Sequence, residues 1–235
     1  MTRPITIISH RGLQDGPAKE KENKLETLTR ALERGFKLEM DSRSCLSGES
    51  VLHHDAYFKG QKIEETSLQD LLELDDRLVE LDHFLAHVSS LSLSEVKINI
   101  DVKTCHNPQK FIKNLRKYSK IDFELSSFDW NLLKEFYQLS ETEFSYSLLL
   151  ADTHEEPLIK IKEAVSLIKA INACGLSLQL PLINKLSRED LLDHYKGPLG
   201  VYTVNELDRL PELIAKGVTY IFTDYPQQFL DKTSG

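Results

Sequence analysis

Eight segments of the chain carry the hydrophobic pattern of β-strands. They lie at residues 5–9, 36–42, 96–103, 122–128, 144–150, 176–182, 199–204 and 219–224. Each is a short apolar run or alternates apolar with polar positions, a pattern that favours an extended strand. We therefore predict eight strands.

Helical patterns separate most of these segments. Leu25, Leu28 and Leu32 share one helix face, and Gly35 follows as a stop signal. Pro211 interrupts the last such pattern, so we expect that helix to be kinked or split. Strands that alternate with helices form parallel sheets with right-handed crossovers, and eight of them favour a closed (β/α)₈ TIM barrel.

One long interval interrupts this rhythm after the second predicted strand. Residues 56–95 contain "TSLQDLLELD" and "LDHFLAHV", which predict two short helices. These helices either cap the mouth of the barrel as an insertion or pack against its side. We expect residues 1–235 to form a single domain, because 235 residues suit one large barrel.

The charge balance excludes some classes of partner. The formal net charge of -8 gives no overall attraction to nucleic acid or to an anionic membrane. Cys45, Cys105 and Cys174 lack the paired spacing of a zinc site or disulfide framework, and no apolar run of about 18 residues predicts a membrane span. We expect a cytoplasmic protein that captures a small anionic substrate with local charges.

Ionisable residues cluster where the first three strands of the predicted barrel end. They are His10, Arg11, Glu39, Asp41, His53, His54, Asp55, Asp101 and Lys103. The active site of a TIM barrel lies at the C-terminal ends of its strands. Each pair alone is an ordinary surface feature, but several charged groups at one barrel mouth are costly to bury unless they are paired or bind a metal.

The ordered set of motifs resembles the glycerophosphodiester phosphodiesterases. The elements are "HRG" (10–12), "KENKLETL" (21–28), "LEMD" (38–41), "HHD" (53–55) and "IDVK" (100–103). The similarity continues through "LSSFD" (125–129), "VYTVN" (201–205) and "IFTDYP" (221–226), so it covers almost the whole chain. The resemblance implies a TIM barrel that hydrolyses glycerophosphodiesters to glycerol 3-phosphate and an alcohol with a divalent metal.

The resemblance also implies roles for individual residues. It gives acid/base roles to His10 and His54, metal ligation to Glu39, Asp41 and Asp101, and phosphate contact to Arg11 and Lys103. Within "HHD" we favour His54 because it directly precedes Asp55, and we leave open which histidine is the acid. Tyr202 and Phe128 are candidates for an apolar wall beside the glycerol.

Chemistry supports a charged site of this kind. Three carboxylates without Cys or His ligand spacing favour Ca²⁺ or Mg²⁺ over zinc, and Mn²⁺ also suits them. A divalent cation, three carboxylates, a diester anion and the side chains of Arg11 and Lys103 together are neutral. The nucleophile is either water or a neighbouring glycerol hydroxyl that forms a cyclic phosphate.

Two departures from the family pattern affect the site. Asp101 is one methylene shorter than the usual glutamate, and Tyr202 stands where tryptophan is frequent. Two alternative functions remain: a related lysophospholipase D or cyclising phospholipase on the same barrel, and a non-catalytic barrel that binds phosphate.

Overall fold

A computed structural model of the chain describes residues 5–152 and 156–233. The strands are β1 (Thr6–Ser9), β2 (Lys37–Ser44), β3 (Ser50–Leu52), β4 (Tyr57–Phe58), β5 (Gln61–Lys62), β6 (Val96–Val102), β7 (Ile121–Ser127), β8 (Ser145–Leu150), β9 (Gly175–Gln179), β10 (Leu199–Tyr202) and β11 (Tyr220–Thr223). All eight predicted strand segments are therefore present.

Within the described residues, eight of these strands close a parallel barrel. The order is β1-β11-β10-β9-β8-β7-β6-β2, and β2 pairs in turn with β1. The pairing of Asp41 on β2 with Asp101 on β6 places two predicted site residues side by side at one end of the barrel. The topology confirms the predicted (β/α)₈ barrel.

Helices connect the barrel strands, and all of them except the second along the chain cover the outer surface of the barrel. They are α1 (Leu25–Glu33), α2 (Leu68–Leu74), α3 (Leu81–Ser90), α4 (Pro108–Leu115), α5 (Trp130–Ser140), α6 (Pro157–Ala170), α7 (Leu180–Asn184), α8 (Arg188–His194), α9 (Leu210–Ala215) and α10 (Pro226–Thr233). The long apolar side chains that the strands turn outward pack against these helices in one large cluster. This layer supplies most of the hydrophobic stabilisation.

The long interval after β2 divides into two parts. Helix α3 packs in the large cluster through Phe84 and Leu85, both fully buried, and is the crossover from β2 to β6. The preceding part contains α2 and also three short strands, which the sequence did not indicate. Leu52 on β3 packs in the large cluster, but most buried apolar residues of this part form a separate cluster of Cys45, Val51, Phe58, Ile63, Leu71 and Leu78. We call the segment 45–78 the insertion.

Two prolines set element boundaries in the second half of the chain. The strand predicted at 176–182 ends at Gln179, because Pro181 lies in the first turn of α7 and removes a strand hydrogen-bond donor. Pro211 lies in the first turn of α9, after a 3₁₀ turn at Leu207–Arg209. The last predicted helix is therefore split, as expected.

The inner face of the barrel is unusually polar. Glu124 accepts hydrogen bonds from Lys37 Nζ at 2.5 Å, Ser147 Oγ at 2.8 Å and Asn99 Nδ2 at 3.0 Å. The Ser126 hydroxyl donates to Asn99 Oδ1 at 2.8 Å. Barrel interiors are more often filled by branched apolar side chains. Here a hydrogen-bonded network supports the floor of the cavity described below.

In the parts of the chain that the structure describes, no helix has the length and apolar composition needed to cross a membrane.

Candidate active site

A cavity of about 240 Å³ opens at the C-terminal ends of the barrel strands. All eight predicted site residues line it: His10, Arg11, Glu39, Asp41, His54, Asp101, Lys103 and Tyr202. The first and second strands and the insertion are distant in sequence from Tyr202, so the closed barrel is what brings them together.

A tight turn presents His10 and Arg11 to the cavity. After β1 ends at Ser9, residues 10–12 form a 3₁₀ turn in which Arg11 and Gly12 have φ angles of 54° and 76°. A Cβ at Gly12 would lie 3.0 Å from the backbone of Leu28 on α1. The glycine of "HRG" is therefore required by both the left-handed backbone and the close approach of the helix.

A carboxylate orients His10. Its Nδ1 lies 2.7 Å from Asp224 Oδ1, and Asp224 Oδ2 accepts a hydrogen bond from Asn205 Nδ2 at 2.7 Å. Burial lowers the pKa of His10, but the bond to Asp224 and the charge of Glu39 outweigh burial and raise this pKa above its ordinary value. Nδ1 is occupied, which leaves Nε2 of His10 for proton exchange.

Arg11 joins the turn to the acidic residues. Its backbone N–H donates to Glu39 Oε2 at 2.8 Å, and its Nη1 donates to Glu22 at 2.8 Å. Its Nε lies 3.0 Å from Asp41 Oδ2. These contacts hold the planar guanidinium group in one orientation. A guanidinium group fixed in this way is suited to binding a phosphate.

Three buried carboxylates form a cluster that fits a metal ion. Oxygens of Glu39, Asp41 and Asp101 lie within 4.8 Å of one another. Burial, together with repulsion from Asp41, raises the pKa of Glu39 to about 7 and that of Asp101 to about 6. Among the described residues, the buried Oδ1 of Asp101 has no hydrogen-bond partner. A divalent cation would coordinate this oxygen and offset the repulsion among the three carboxylates. The donor set therefore fits a hard cation.

Cationic and amide groups fix the carboxylates. Lys103 Nζ lies 3.0 Å from Asp41 Oδ1 and also contacts Asp101. Asn23 donates from Nδ2 to Asp41 Oδ2 at 2.9 Å, and accepts from the Asp41 backbone N–H at 3.0 Å. Burial alone would raise the pKa of Asp41, but Lys103 and Arg11 lower it below its usual range. Asp41 is therefore held ionised.

The insertion carries the second predicted catalytic histidine. His54 Nδ1 lies 2.7 Å from Asp55 Oδ1, and Lys19 pairs with Asp55 Oδ2 at 2.7 Å. Burial lowers the pKa of His54. Arg43 on β2 donates from Nε to the His54 backbone carbonyl at 2.8 Å, which ties the insertion to the barrel. His53 bonds to the Tyr57 backbone instead and does not line the cavity.

The ends of β7 to β10 form the other side of the cavity, where the lining side chains that the structure describes are aromatic or otherwise uncharged. Phe128, 43% exposed, meets the ring of Tyr202 edge-on at 5.9 Å, and Lys103 Nζ lies 5.2 Å above the Phe128 ring. The Tyr202 hydroxyl is buried and has no hydrogen-bond partner in the described chain. The two rings line the cavity together, and Phe128 reaches its mouth; their place beside the glycerol stays a prediction.

The sequence analysis did not single out Asn23, Asn205 and Asp224. Asn23 and Asp224 hydrogen-bond to the predicted residues Asp41 and His10, and Asn205 in turn hydrogen-bonds to Asp224. The sequence did contain a signal for them, because all three lie in motifs that carry the family resemblance, "KENKLETL", "VYTVN" and "IFTDYP". Their partners are distant in sequence, so only the fold reveals what they bind.

Comparison with protein families gives one extended match. The model of the glycerophosphoryl diester phosphodiesterase family matches residues 10–228. Comparison with curated protein sequences gave no match.

Solved structures share the fold at low sequence identity. A glycerophosphodiester phosphodiesterase from Parabacteroides distasonis is 21% identical with a TM-score of 0.75, covering 99% of this chain and 98% of that one. One from Thermotoga maritima is 23% identical with a TM-score of 0.73, covering 97% and 98%. An Oleispira antarctica phosphodiesterase in complex with the product sn-glycerol-3-phosphate is 17% identical with a TM-score of 0.73, covering 99% and 98%.

Proposed function

The chain belongs to the glycerophosphoryl diester phosphodiesterase family, and we propose that it hydrolyses glycerophosphodiesters to glycerol 3-phosphate and an alcohol. One observation carries the proposal: a single cavity contains two histidines, each hydrogen-bonded to a carboxylate, beside three buried carboxylates and two cationic side chains. The glycerol 3-phosphate bound to the Oleispira antarctica enzyme supports the choice of product.

Glu39, Asp41 and Asp101 would hold one divalent cation, either Ca²⁺ or Mg²⁺, with Mn²⁺ as a further candidate. When bound, the cation neutralises charge on the phosphate and so favours attack by the nucleophile. The unpaired Oδ1 of Asp101 supports the assignment of this residue as a ligand.

The two histidines provide the proton transfers. In each ring Nδ1 bonds to an aspartate, Asp224 for His10 and Asp55 for His54, so Nε2 is the atom that exchanges a proton with the reactants. One ring takes a proton from the nucleophile and the other gives a proton to the departing alkoxide. The pKa of His10 is raised and that of His54 is lowered, so the protonated form is favoured at His10 and the neutral form at His54. Two rings in different protonation states suit one acid and one base.

Arg11 and Lys103 bind the diester anion. Both contact Asp41 in the structure, and both also line the cavity. A phosphate oxygen offers each of them a second anionic partner, with the planar Arg11 fork able to bind two oxygens. Their positive charges offset the acidic cluster, which would otherwise repel the substrate.

A substrate panel tests the proposal. Glycerophosphocholine, glycerophosphoethanolamine and lysophosphatidylcholine are each incubated with Ca²⁺, Mg²⁺ or Mn²⁺, and the products are followed by phosphorus NMR. We expect glycerol 3-phosphate from the first two substrates and no product after chelation. The double variant His10→Ala/His54→Ala is the control for contaminating hydrolases.

Other products would identify the alternatives. Lysophosphatidic acid as the main product would indicate a lysophospholipase D, and an accumulating cyclic phosphate would indicate a cyclising phospholipase. Diester binding without turnover under every metal would contradict hydrolysis and indicate a phosphate-binding barrel.

A further inference from the structure

The cavity has two sides of different chemistry. The ionisable groups come from the ends of β1, β2 and β6 and from the insertion. The ends of β7 to β10 contribute Phe128, Leu149, Ala151, Gln179 and Tyr202, and the described side chains of this group carry no charge. A phosphate belongs on the charged side, so the uncharged side faces the organic part of the substrate.

Gln179 is the residue on the uncharged side whose amide is held in one orientation. It ends β9, directly beside Tyr202 on β10. Two residues earlier on the same strand face, Ser177 is fully buried and bonds to Tyr220 inside the barrel. The side chain of Gln179 therefore points inward, into the cavity that it lines.

A neighbouring loop fixes the direction of the Gln179 amide. Its Oε1 accepts a hydrogen bond from the backbone N–H of Asp152 at 2.9 Å. The Asp152 carboxylate is held in turn by Lys185 Nζ at 2.7 Å. Because the oxygen is engaged by a donor, the amide cannot be flipped without losing this bond. Among residues 5–152 and 156–233, Nε2 makes no hydrogen bond, and Gln179 lines the cavity.

The size of the cavity indicates which organic group meets this donor. A volume of about 240 Å³ is small for a ligand pocket and is shared with the phosphate. The remaining space suits a group as small as glycerol, and a larger alcohol would have to extend past the exposed Phe128 at the mouth. The uncharged N–H donor of Gln179 is suited to a hydroxyl oxygen of such a group.

We propose that Gln179 is a specificity-determining residue, whose Nε2 donates a hydrogen bond to a hydroxyl of the substrate's glycerol group. The proposal rests on the proposed function, because it takes a glycerophosphodiester as the substrate. It assigns the uncharged side to the glycerol and leaves the alcohol at the mouth.

Binding of two phosphate monoesters tests this directly. Glycerol 3-phosphate and n-propyl phosphate differ in the two glycerol hydroxyls, and neither needs turnover. Their affinities for the wild type, Gln179→Met and Gln179→Glu are measured by calorimetry with saturating Mg²⁺. Gln138→Met, at an exposed position on α5, is the matched control. Gln179→Glu keeps the acceptor for Asp152 and removes the donor, so it is expected to fold even if Gln179→Met does not.

The ratio of the two affinities is the result that decides. We expect the wild type and Gln138→Met to prefer glycerol 3-phosphate by about tenfold, the value of one hydrogen bond between uncharged groups. Both Gln179 variants should lose this preference, and Gln179→Met should bind n-propyl phosphate as the wild type does. An unchanged ratio in both Gln179 variants, or an equal loss of affinity for both ligands in Gln179→Met, would overturn the proposal.

The same proteins separate this inference from the proposed function. If the wild type turns over glycerophosphodiesters but its ligand preference does not depend on Gln179, the inference fails and the function stands. If the preference depends on Gln179 but no diester is hydrolysed, the function fails and the hydroxyl contact stands.

Discussion

Replacement of Asp224 by asparagine should disable His10 without removing it. In the wild type, Asp224 accepts at both carboxylate oxygens, from His10 Nδ1 at 2.7 Å and from Asn205 Nδ2 at 2.7 Å. An asparagine has one acceptor and one donor. In one arrangement its oxygen still accepts from Asn205, and its NH₂ faces His10 Nδ1 and forces the His10 proton to Nε2. In the other its oxygen faces His10, and its NH₂ meets the NH₂ of Asn205, so that two donors face each other. The first arrangement reverses the hydrogen bond to His10 and fixes the wrong tautomer, and the second breaks the hydrogen bond from Asn205.

The loss can be given a magnitude. Asp224 is 5% exposed, so a hydrogen bond from a charged partner there contributes about 2 kcal/mol to the free energy of unfolding, or about 4–8 °C in Tm for a chain of this length. The wrong tautomer of His10 should lower kcat/KM by about 10²–10⁴-fold, since a correctly positioned acid or base contributes that much.

The pH dependence has a definite sign. Asp224 and Glu39 raise the pKa of His10 against the effect of burial, so with Asp224→Asn this pKa falls. The limb of the pH–rate profile that depends on His10 should move to lower pH. The pKa of Asp224 is itself lowered, so the pair stabilises the fold above the unfolded pKa of aspartate and less as pH rises through the raised pKa of His10. The stability difference from wild type is largest between about pH 4 and 6.5.

The assay combines pH–rate profiles on glycerophosphocholine with thermal unfolding across the same pH range. Asp231→Asn, at an exposed position on α10, is the matched control and should leave both measurements unchanged. A folded Asp224→Asn enzyme with wild-type kcat/KM and an unshifted profile would refute the assignment of Asp224 as the residue that positions His10.

Three further predictions concern the charged side of the cavity. His54→Ala should lower turnover by about 10²–10⁴-fold while His53→Ala has little effect, because only His54 lines the cavity; the opposite pattern in steady-state assays would reverse this assignment. Asp101→Asn should nearly abolish metal-dependent activity, whereas Asp101→Glu should retain activity with a changed metal preference, as measured by chelation and stepwise return of each metal; an unchanged metal dependence in Asp101→Asn would remove Asp101 from the ligand set. Lys103→Met should lower kcat/KM for the diester by at least about tenfold and tighten metal binding, since it removes a cation beside Asp41; unchanged kinetics in parallel with metal titrations would contradict a role in phosphate binding.

The barrel itself was predictable because each strand has a local hydrophobic pattern. The outward residues Leu38 and Met40 alternate with Glu39 and Asp41 along β2, so one segment indicates both a buried strand and a polar inner face. The boundary at Gln179 was missed because Leu180 and Leu182 continue the alternation into α7.

The sequence was sufficient to predict which ionisable residues line one cavity, but not which residues hydrogen-bond to them. His10, Asp41 and Asp101 follow strand patterns and stand at strand ends, where a barrel places its chemistry. The contact between His10 and Asp224 joins residues at opposite ends of the chain, on β1 and just after β11. Such pairing depends on closure of the barrel, which no local pattern specifies.

The separate apolar cluster of the insertion has a consequence for thermal inactivation. Residues such as Ile63 and Leu71 pack with one another and not with the large cluster, whereas Leu52 on β3 packs with the barrel. The part of the insertion that follows β3 can therefore open as a sub-global unit while the barrel remains folded. Opening would carry His54 away from the cavity and leave His10 and the carboxylates in place. The enzyme would then lose activity reversibly at temperatures below its global unfolding transition, and its upper working temperature would depend on the local stability of about twenty residues between β3 and the end of α2.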